Sequence, residues 1–333
     1  MSVVVPIRNE SKHIEVFLES IKNFDLSLLK AEFLLVDGMS EDGTTKILES
    51  FSAQNPICRV LMNAHKQKPQ ALNLGIAQSR SDIIIRLDAH SIYPRSYIGD
   101  LVKRLKEQDC ANVGGIRETV VKGDFSHRVI ARLIGHPFAA GNAQYRTSTR
   151  AEIREVDTVF GGCFRREIFS KLGGFNEKLL RTQDREMNFR IREAGNRIVL
   201  DPAIRCSYLP RTDLLDYIRW TYDGAFWLFR SPQFTKTKML RSRNYVPIAF
   251  FLWAIGYLVS FLFGAGVLTW VLGTGLLVYF LLSVFYSIQL ARSEGHILGF
   301  LIPILYFFIT HFVYGLGSFV GFLDVIFSKK EKS

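Results

Sequence analysis

Short apolar runs alternate with helix-like stretches over the first 110 residues of the chain. The apolar runs are continuous, which is typical of strands covered on both faces of a parallel sheet. The stretches between them carry apolar residues at three- and four-residue spacing, which predicts helices. The runs are "SVVVPI", "EFLLVDG", "CRVLMN" and "DIIIRLDAH", and the stretches are "ESKHIEVFLESIKNF", "SEDGTTKILESFSAQ" and "KPQALNLGIAQSR". This alternation predicts an α/β domain with a mostly parallel sheet.

The pattern becomes mixed after residue 110. We predict a strand in "ANVGGIRETVV", a helix in "DFSHRVIARLIGHPFAAG", a strand, turn and helix in "EVDTVFGGCFRREIFSKLGGF", and a helix in "DREMNFRIREAG". No internal repeat or low-complexity linker divides residues 1–230, so they are predicted to form one domain. The amphipathic, aromatic "LLDYIRWTYDGAFWLFR" predicts a helix along a membrane surface, with a buried core helix as the alternative.

Residues 246–327 predict a membrane region, because Arg292, Glu294 and Asp324 are their only formal charges. About 20 mostly apolar residues cross a bilayer, and the stretch is long enough for about three such helices. The last apolar run is long, so a break at Pro303 or near Gly315 would give four.

The net charge of +11 is carried almost entirely by the first 245 residues. Such charge suits anionic lipid headgroups, a polyanionic substrate or nucleic acid. The segment 231–245 and the tail 328–333 are basic, and the positive-inside rule then predicts that the N-terminal domain faces the cytoplasm. The first residues lack the features of a signal peptide, so attachment is expected through the C-terminal helices. The four cysteines show no paired metal spacing and are interpreted as structural thiols.

Asp88 and His90 follow the apolar run "DIIIRL" at alternate positions, so both can point toward one cation. A carboxylate and an imidazole suit a divalent metal such as Mn²⁺ or Mg²⁺. Taken alone, an acid and a histidine beside a turn more often have a structural role. The pair does fall at the carboxyl end of a predicted strand, where α/β sheets bind ligands, but the metal interpretation depends on the wider context of the chain.

Several ordered motifs resemble those of family 2 glycosyltransferases, in particular the succinoglycan-biosynthesis enzymes. They are "SVVVPIRNE", "LLVDGMSEDGT", "RLDAH" at the place of the metal-binding Asp-x-Asp, "VDTVFGGCFRREIFSKLGGFNE", and "TQDREMNFRIREAG". The resemblance covers nearly all of residues 1–230. It implies a GT-A fold, meaning a single nucleotide-binding α/β domain, here followed by transmembrane helices. It also implies transfer of a sugar from a nucleotide diphosphate with inversion at the anomeric carbon.

The same resemblance assigns the nucleotide pocket. Asp37 would hold the base of the donor, most often uracil in this family. Pro6, Arg8 and Glu10 would line the nucleoside pocket. Glu10 would lie near the ribose.

For the diphosphate, the resemblance implies that Asp88 and His90 bind a bridging Mn²⁺ or Mg²⁺. His90 stands where the family usually has a second Asp, which leaves open whether it binds the metal directly or through water. The metal would stabilise the charge that develops on the leaving diphosphate. Lys66 and Lys68 could assist it, or could be solvated surface lysines.

Asp184 is the predicted base that takes the proton of the acceptor hydroxyl. It falls in the first turn of a predicted helix, where the positive end of the helix dipole favours its charged form. The family commonly has Glu-Asp here, whereas this chain has Gln183 before Asp184. The alternative is an ordinary helix-start acid with Thr182 as the cap.

On the acceptor side, the resemblance points to Gly161 and Gly162, for which a plain turn is the alternative. Arg219 and Trp220 resemble the Arg-Trp element of processive members, as do Trp227 and Arg230. The full Gln-x-x-Arg-Trp spacing is absent, which predicts single additions rather than polymer synthesis. The segment 141–146 is a further candidate for contact with a lipid-linked acceptor.

These observations predict a membrane-anchored, metal-dependent inverting glycosyltransferase that moves a sugar from a UDP-sugar to a polyprenyl-diphosphate-linked saccharide. Its expected role is exopolysaccharide or envelope glycan assembly, alongside other polysaccharide-assembly enzymes. A non-catalytic membrane scaffold with a degenerate domain is the alternative. A nicotinamide-dependent oxidoreductase is disfavoured, because "PIRNES" replaces the G-x-G-x-x-G turn. A nucleic-acid partner is not expected, because a stripe of basic and stacking aromatic residues is missing outside the membrane-proximal segment.

Overall fold

The computed structural model describes residues 1–141, 144–147, 151–210 and 212–330, without the side chains of residues 140, 147, 329 and 330. The strands are β1 Ser2–Ile7, β2 Glu32–Asp37, β3 Cys58–Met62, β4 Ile83–Arg86, β5 Ser91–Ile92, β6 Asn112–Thr119, β7 Arg154–Glu155, β8 Phe160–Arg165 and β9 Ile198–Tyr208. The helices are α1 Ile14–Asn23, α2 Thr44–Gln54, α3 Lys68–Gln78, α4 Tyr97–Glu107, α5 Phe125–Gly135, α6 Pro137–Ala140, α7 Gln144–Thr147, α8 Glu167–Leu172, α9 Gln183–Glu193, α10 Leu214–Arg230, α11 Val246–Leu262, α12 Val267–Ser293 and α13 Leu301–Lys330. Short 3₁₀ turns cover Ser231–Gln233, Ser242–Tyr245 and Ile297–Gly299.

Contacts divide the described chain into two units. The first unit contains residues 1–120 and the described residues from 144 to 210. The second contains residues 121–141 and the described residues from 212 onward. The predicted division at residues 230, 245 and 327 stays a prediction, and residues 331–333 of the tail lie outside the described residues.

The first unit is built on a mixed sheet with the strand order β3-β2-β1-β4-β8-β6-β9-β5 and with β7 paired to β9. The strands β3, β2, β1 and β4 are parallel, as the continuous apolar runs predict. Antiparallel pairs join β8 to β4 and to β6, whereas β6 and β9 are parallel. The predicted α/β class is therefore confirmed, and the strands of the mixed half follow residue 110 apart from the two-residue strand β5.

Hydrophobic cores cover both faces of this sheet. Successive residues of a strand point to opposite faces, so Val3 and Val5 pack in one core and Val4 packs in the other. Helices α1 and α4 contribute to the first core, and α3 and α9 contribute to the second. Fully burying an aliphatic side chain contributes about 1.5–3 kcal/mol, which explains why the strand residues are apolar on both faces.

Strand β9 bends where the residues around Pro202 bulge out of the ladder. Its pairing with β6 shifts from Asp201 opposite Gly115 to Arg205 opposite Ile116. A Cβ atom on Gly115 would lie 2.2 Å from the carbonyl oxygen of Ile204, so only glycine allows this approach. Because proline is rare inside strands, the sequence pattern leaves this segment unassigned.

The second unit contains three helices that are long and apolar enough to cross a membrane. They cover Ser242–Leu262, Val267–Ser293 and Ile297–Ser328, and the last is not broken at Pro303. Helix α10 packs closely on α13, because Cβ atoms on Gly317 and Gly321 would lie within 2.6 Å of α10 backbone oxygens. Whether α10 also lies on a membrane surface stays a prediction. All four cysteines are free and buried, as predicted for structural thiols.

Candidate active site

The candidate site lies at the carboxyl ends of β2, β1 and β4, which are neighbours in the sheet. Asp37 is the last residue of β2 and pairs with Ile7 at the end of β1. Asp88 follows β4, whose last residue Arg86 pairs with Val4 of β1. Because parallel strands end at the same edge of a sheet, the loops that follow them meet there.

Four non-glycine residues with positive φ angles lie in the loops of this edge or at the start of α9. The φ angles are 53° for Asn9, 58° for Met39, 58° for Lys66 and 64° for Thr182. Such a φ is uncommon outside glycine, and for a β-branched residue such as Thr182 it is a true outlier. Strained backbone tends to gather at ligand sites, so its distribution agrees with a site at this edge.

The Asp37 carboxylate is fully buried and holds the loop after β2. Its oxygens accept hydrogen bonds from the hydroxyl groups of Ser40 and Thr45, each at 2.6 Å. The backbone N–H of Ser40 also donates to both oxygens at 3.3 Å. Asp37 thus lies at the predicted nucleotide pocket with its hydrogen-bonding capacity largely used within its own loop.

The loop after β1 contacts the loops after β3 and β4. Pro6 is partly buried within β1, and exposed Arg8 donates from Nη1 to the carbonyl oxygen of Lys66 at 3.1 Å. Glu10 Oε1 lies 3.3 Å from Nδ1 of His90. These contacts bring Arg8, Glu10 and His90 to the same edge of the sheet. Their predicted roles, in the nucleoside pocket for Arg8 and Glu10 and in metal binding for His90, stay predictions.

Asp88 is buried between two cationic side chains. Arg86 donates from Nη2 to both carboxylate oxygens of Asp88 at 2.7 and 2.9 Å, and Lys68 Nζ donates to Oδ1 at 2.7 Å. Burial alone would raise the pKa of Asp88, but the charges of Arg86 and Lys68 outweigh it and hold that pKa well below its usual range. The Asp88 carboxylate is therefore ionised and already ion-paired.

The Asp88–His90 pair does not form a complete metal site in this arrangement. His90 suits a metal, because Glu10 faces Nδ1 and Nε2 makes no hydrogen bond to a described residue. Asp88 does not, because both of its oxygens accept hydrogen bonds from cations. Among the described residues, no three His, Cys, Asp or Glu side chains lie together as a metal cluster.

Asp184 lies in the first turn of α9, directly after the strained Thr182 and the buried Gln183. Its Oδ2 is 2.9 Å from Nη1 of Arg86. Its Oδ1 is buried and has no hydrogen-bond partner in the described structure. The side chain as a whole is 33% exposed, whereas Oδ1 itself is buried.

Gly161 and Gly162 of β8 lie beside this centre. With φ at +68°, Gly161 brings its backbone so near that a Cβ atom would lie 2.8 Å from the Arg86 carbonyl oxygen. Gly162, with φ at +119°, would place a Cβ atom 2.6 Å from Oδ1 of Asn112. Both positions require glycine for close packing, which goes beyond a plain turn.

Arg219 and Trp220 belong to α10 in the second unit. The Arg219 side chain is 75% exposed and lies 3.9 Å from Asp216. Trp220 packs against the apolar cluster of that unit and stacks on Tyr217. Of the acceptor segment 141–146, residues 142 and 143 lie outside the described residues.

Sequence reasoning missed two buried arginines, Arg86 and Arg117. Arg117 in β6 is 4% exposed, and its guanidinium carbon lies 4.0 Å from the ring centre of Tyr208 and 5.2 Å from that of Phe160. Its Nε and Nη2 atoms are buried without a hydrogen-bond partner in the described structure. Burial lowers the pKa of Arg117 to about 10, and the charge of Arg146 adds to this. Each arginine lies in or beside an apolar run of the sequence. No feature of the neighbouring sequence predicts which residues it contacts.

The model of the family described as glycosyl transferase family 2 matches residues 2–173. The chain belongs to glycosyltransferase family 2. The fold and the order of motifs in the first unit therefore have a common origin with these enzymes, and the resemblance noted from the sequence is confirmed.

Two relatives of this family 2 glycosyltransferase match long parts of the chain. Succinoglycan biosynthesis protein ExoA of Rhizobium meliloti is 29% identical over 78% of this chain and 77% of its own length. Dolichyl N-acetyl-alpha-D-glucosaminyl phosphate 3-beta-D-2,3-diacetamido-2,3-dideoxy-beta-D-glucuronosyltransferase of Methanococcus voltae is 25% identical over 97% of both chains. The second match extends through the apolar helices.

A solved structure is similar over nearly the whole chain. It is a mannosyltransferase from Pyrobaculum calidifontis in complex with GDP-Man and Mn²⁺, with a TM-score of 0.61 at 20% identity. The match covers 95% of this chain and 86% of that one. This likeness confirms the GT-A fold predicted for the family 2 glycosyltransferase.

Proposed function

We propose that this family 2 glycosyltransferase transfers one sugar from a UDP-sugar to a lipid-linked saccharide, with inversion, at the cytoplasmic face of a membrane. The expected setting is exopolysaccharide or envelope glycan assembly, where other polysaccharide-assembly enzymes would supply the acceptor and use the product. The observation that carries the proposal is the placement of Asp184, a candidate base, 2.9 Å from the arginine that also holds Asp88 at the donor edge.

The proposed reaction is a single displacement. The acceptor oxygen attacks the anomeric carbon while its proton passes to Oδ1 of Asp184, which has no other partner among the described residues. A new carbon–oxygen bond forms on one face of the sugar. The bond to the β-phosphate breaks on the other face, and UDP leaves with the electron pair. This geometry inverts the anomeric configuration.

The leaving diphosphate needs positive charge beside it. Lys68 is the first residue of α3, at the positive end of that helix, and its side chain is 35% exposed. This position and partial exposure support a role for Lys68 in binding the diphosphate of the donor. The nucleoside would be bound by the predicted contacts of Pro6, Arg8, Glu10 and Asp37. The predicted requirement for Mn²⁺ or Mg²⁺ is part of the proposal and has to be measured, because Asp88 is already ion-paired.

Two observations support a lipid-linked acceptor and membrane attachment. The named acceptor of the Methanococcus voltae relative is a dolichyl-linked sugar phosphate, and that relative matches the chain through its helices. The described chain has three helices of membrane-crossing length. The basic segment before them favours a cytoplasmic first unit. Gly161, Gly162, Arg219 and Trp220 stay acceptor-side candidates.

A non-catalytic scaffold is the second candidate. The incomplete metal site at Asp88 and His90 favours it, because an enzyme that has lost donor binding would also keep the fold. It would retain the membrane helices and the interaction surfaces while losing transfer. Only activity separates the two candidates.

The test is transfer from radiolabelled UDP-sugars to lipid extracts by the detergent-purified full chain, with Mn²⁺, Mg²⁺ or a chelator. Wild type is expected to label lipid with one sugar per acceptor. Asp184→Asn should bind donor normally and lose about 10²–10⁴-fold in kcat, the usual contribution of a general base. Asp109→Asn, an exposed acid in a loop of the same unit, is the matched control and should retain the wild-type rate.

If wild type binds no UDP-sugar and labels no lipid under any of these conditions, the scaffold takes the place of the enzyme. If Asp184→Asn transfers at the wild-type rate, another group is the base. Addition of many sugars to one acceptor would contradict the single-addition prediction.

A further inference from the structure

We propose that Arg86 is a positioning residue that ties the base Asp184 to the donor-side Asp88 through one buried guanidinium. This inference rests on the proposed transfer reaction and adds to it a residue that the family motifs do not assign. The role would be to set the distance between the base and the donor, without contact between Arg86 and the substrate.

The contacts of Arg86 use two different nitrogens for two different acids. Nη2 donates to both oxygens of Asp88 at 2.7 and 2.9 Å, and Nη1 lies 2.9 Å from Oδ2 of Asp184. Asp88 and Asp184 are 96 residues apart in the chain and come from a strand end and a helix start. One planar group therefore fixes the relative position of both carboxylates.

The surroundings of Arg86 allow it little freedom. It is 3% exposed, and its strand β4 lies between β1 and β8 in the sheet. Gly161 packs directly against its carbonyl oxygen. Burial disfavours the charge, but Asp184 and Asp88 outweigh burial and raise the pKa of Arg86, so that it stays charged. A rigid, permanently charged group is suited to positioning two acids.

Each buried polar group without a hydrogen-bond partner costs about 1–3 kcal/mol, so most buried polar atoms of a folded protein are paired. Here Nε of Arg86 and Oδ1 of Asp184 are both buried without a hydrogen-bond partner in the described structure. The guanidinium occupies Oδ2 of Asp184 and leaves Oδ1, which is the oxygen needed to accept a proton. Pairing at Oδ2 with Oδ1 left unpaired is what a proton-accepting carboxylate requires, whereas stability alone would favour pairing both oxygens.

Lysine cannot take over the role of Arg86 in this arrangement. Arginine presents a rigid fork that reaches two carboxylates at once, whereas an ammonium group is a single point of charge. Arg86→Lys would keep the positive charge and lose the fixed spacing. Misplacement of a catalytic group by about 1 Å can cost about 10²-fold in rate.

The experiment compares Arg86→Lys and Arg86→Ala with wild type in the full chain, measuring kcat and donor KM for lipid transfer. We expect Arg86→Lys to lower kcat about 100-fold. Donor KM should change less than about threefold, because Lys68 still pairs with Asp88. For Arg86→Ala, added guanidinium at tens of millimolar should restore at least about tenfold of the lost kcat, because it can fill the vacated site. Equal concentrations of sodium or ammonium chloride should restore nothing.

Arg104→Lys is the matched control, because Arg104 pairs with Asp201 at 2.7 Å in the same unit and away from Asp184. It should leave kcat within about threefold of wild type. A wild-type kcat in Arg86→Lys, or an Arg86→Ala variant that folds and is not rescued by guanidinium, would overturn the positioning role while the transfer function stands. An inactive wild type would overturn both, so the two failures are distinguishable. If Arg86→Ala does not fold, Arg86→Lys alone decides the question.

Discussion

Nδ1 of His90 lies 3.3 Å from Oε1 of Glu10, and this contact joins the loop after β4 to the loop after β1. The His90 ring also packs edge-on against Tyr208, at 5.2 Å between ring centres. Two sides of the imidazole are thereby fixed. Its orientation is set before any ligand arrives.

Removing either side of this contact should weaken donor binding. We expect Glu10→Ala and His90→Ala each to raise the Kd for a UDP-sugar about tenfold, which is the lower end of the loss seen when the hydrogen-bond partner of a metal-binding histidine is removed. The Kd of the double variant should be little higher than that of the single variant that binds less tightly, because the two side chains act as one unit. Titration calorimetry on the purified chain measures these constants.

The control for this cycle is Glu15→Ala, an exposed acid on the outer face of α1. It should bind donor as wild type does. Fully additive losses in the double variant would show that Glu10 and His90 contribute separately.

Lys68 would compete with a bound metal for the Asp88 carboxylate. Its Nζ atom lies 2.7 Å from Oδ1, so Lys68→Met removes a positive charge from that oxygen. We expect Lys68→Met to bind Mn²⁺ at least about tenfold more tightly than wild type, since like charges no longer repel at the site. Paramagnetic resonance of free Mn²⁺ measures the affinity.

Lys66→Met is the matched control, because Lys66 pairs with Glu41 at 3.1 Å instead of Asp88. It should leave the Mn²⁺ affinity unchanged. An unchanged affinity in Lys68→Met would mean that Asp88 is not the limiting ligand.

Arg117 is expected to lower the free energy of unfolding, because its buried Nε and Nη2 atoms have no hydrogen-bond partner in the described chain. Arg117→Met keeps the volume and removes the buried charge, so the free energy of unfolding should be unchanged or higher. Transfer should fall at least about tenfold, since two guanidinium nitrogens without hydrogen-bond partners in the described chain are suited to an anionic group of a substrate. Denaturant unfolding and transfer assays together give both values.

Arg165→Met provides the contrast. Arg165 donates to the backbone oxygens of Cys110 and Leu105, both at 3.1 Å, so its loss leaves two acceptors unpaired. Its free energy of unfolding should fall by about 1–3 kcal/mol. If Arg117→Met is destabilised as much as Arg165→Met, the aromatic rings around Arg117 hold it for stability.

The cysteines should resist thiol reagents in the folded protein. Burial raises the pKa of Cys58 to about 11 and that of Cys206 to about 12. The thiolate is the reactive form, so at pH 8 only about one Cys58 in a thousand is reactive. We expect no fast reaction with a disulfide reagent at pH 8, a rate that rises toward pH 11, and four reactive thiols per chain after denaturation. Fast labelling of the native chain at pH 8 would contradict this.

The local pattern of the sequence predicted the parallel half of the sheet because continuous apolar runs have few alternative structures. It also brought Asp88 to attention at the end of a strand, whereas the roles of Asp37 and Asp184 came from the family resemblance. The cation pairing of Asp88 could not be predicted. It depends on Arg86 in an apolar run and on Lys68 from another element, which only the fold brings together.

Strand β9 shows the same limit. The bend of β9 depends on Gly115 of another strand admitting the Ile204 backbone, which is a contact between residues 89 positions apart. Such a contact leaves no periodic signal in either segment. Arg117 is similar, because its aromatic neighbours come from α7, β8 and β9.

The apolar helices of the second unit differ in length, and this has a consequence for the lipid around them. At 1.5 Å per residue, the 21 residues of Ser242–Leu262 span about 32 Å, whereas the 32 residues of Ile297–Ser328 span about 48 Å. A hydrocarbon layer is about 30 Å thick, so the first helix fits it upright and the last must tilt or emerge from it. If these helices cross a membrane, they differ in hydrophobic match to it, and their fit would then depend on the length of the lipid acyl chains.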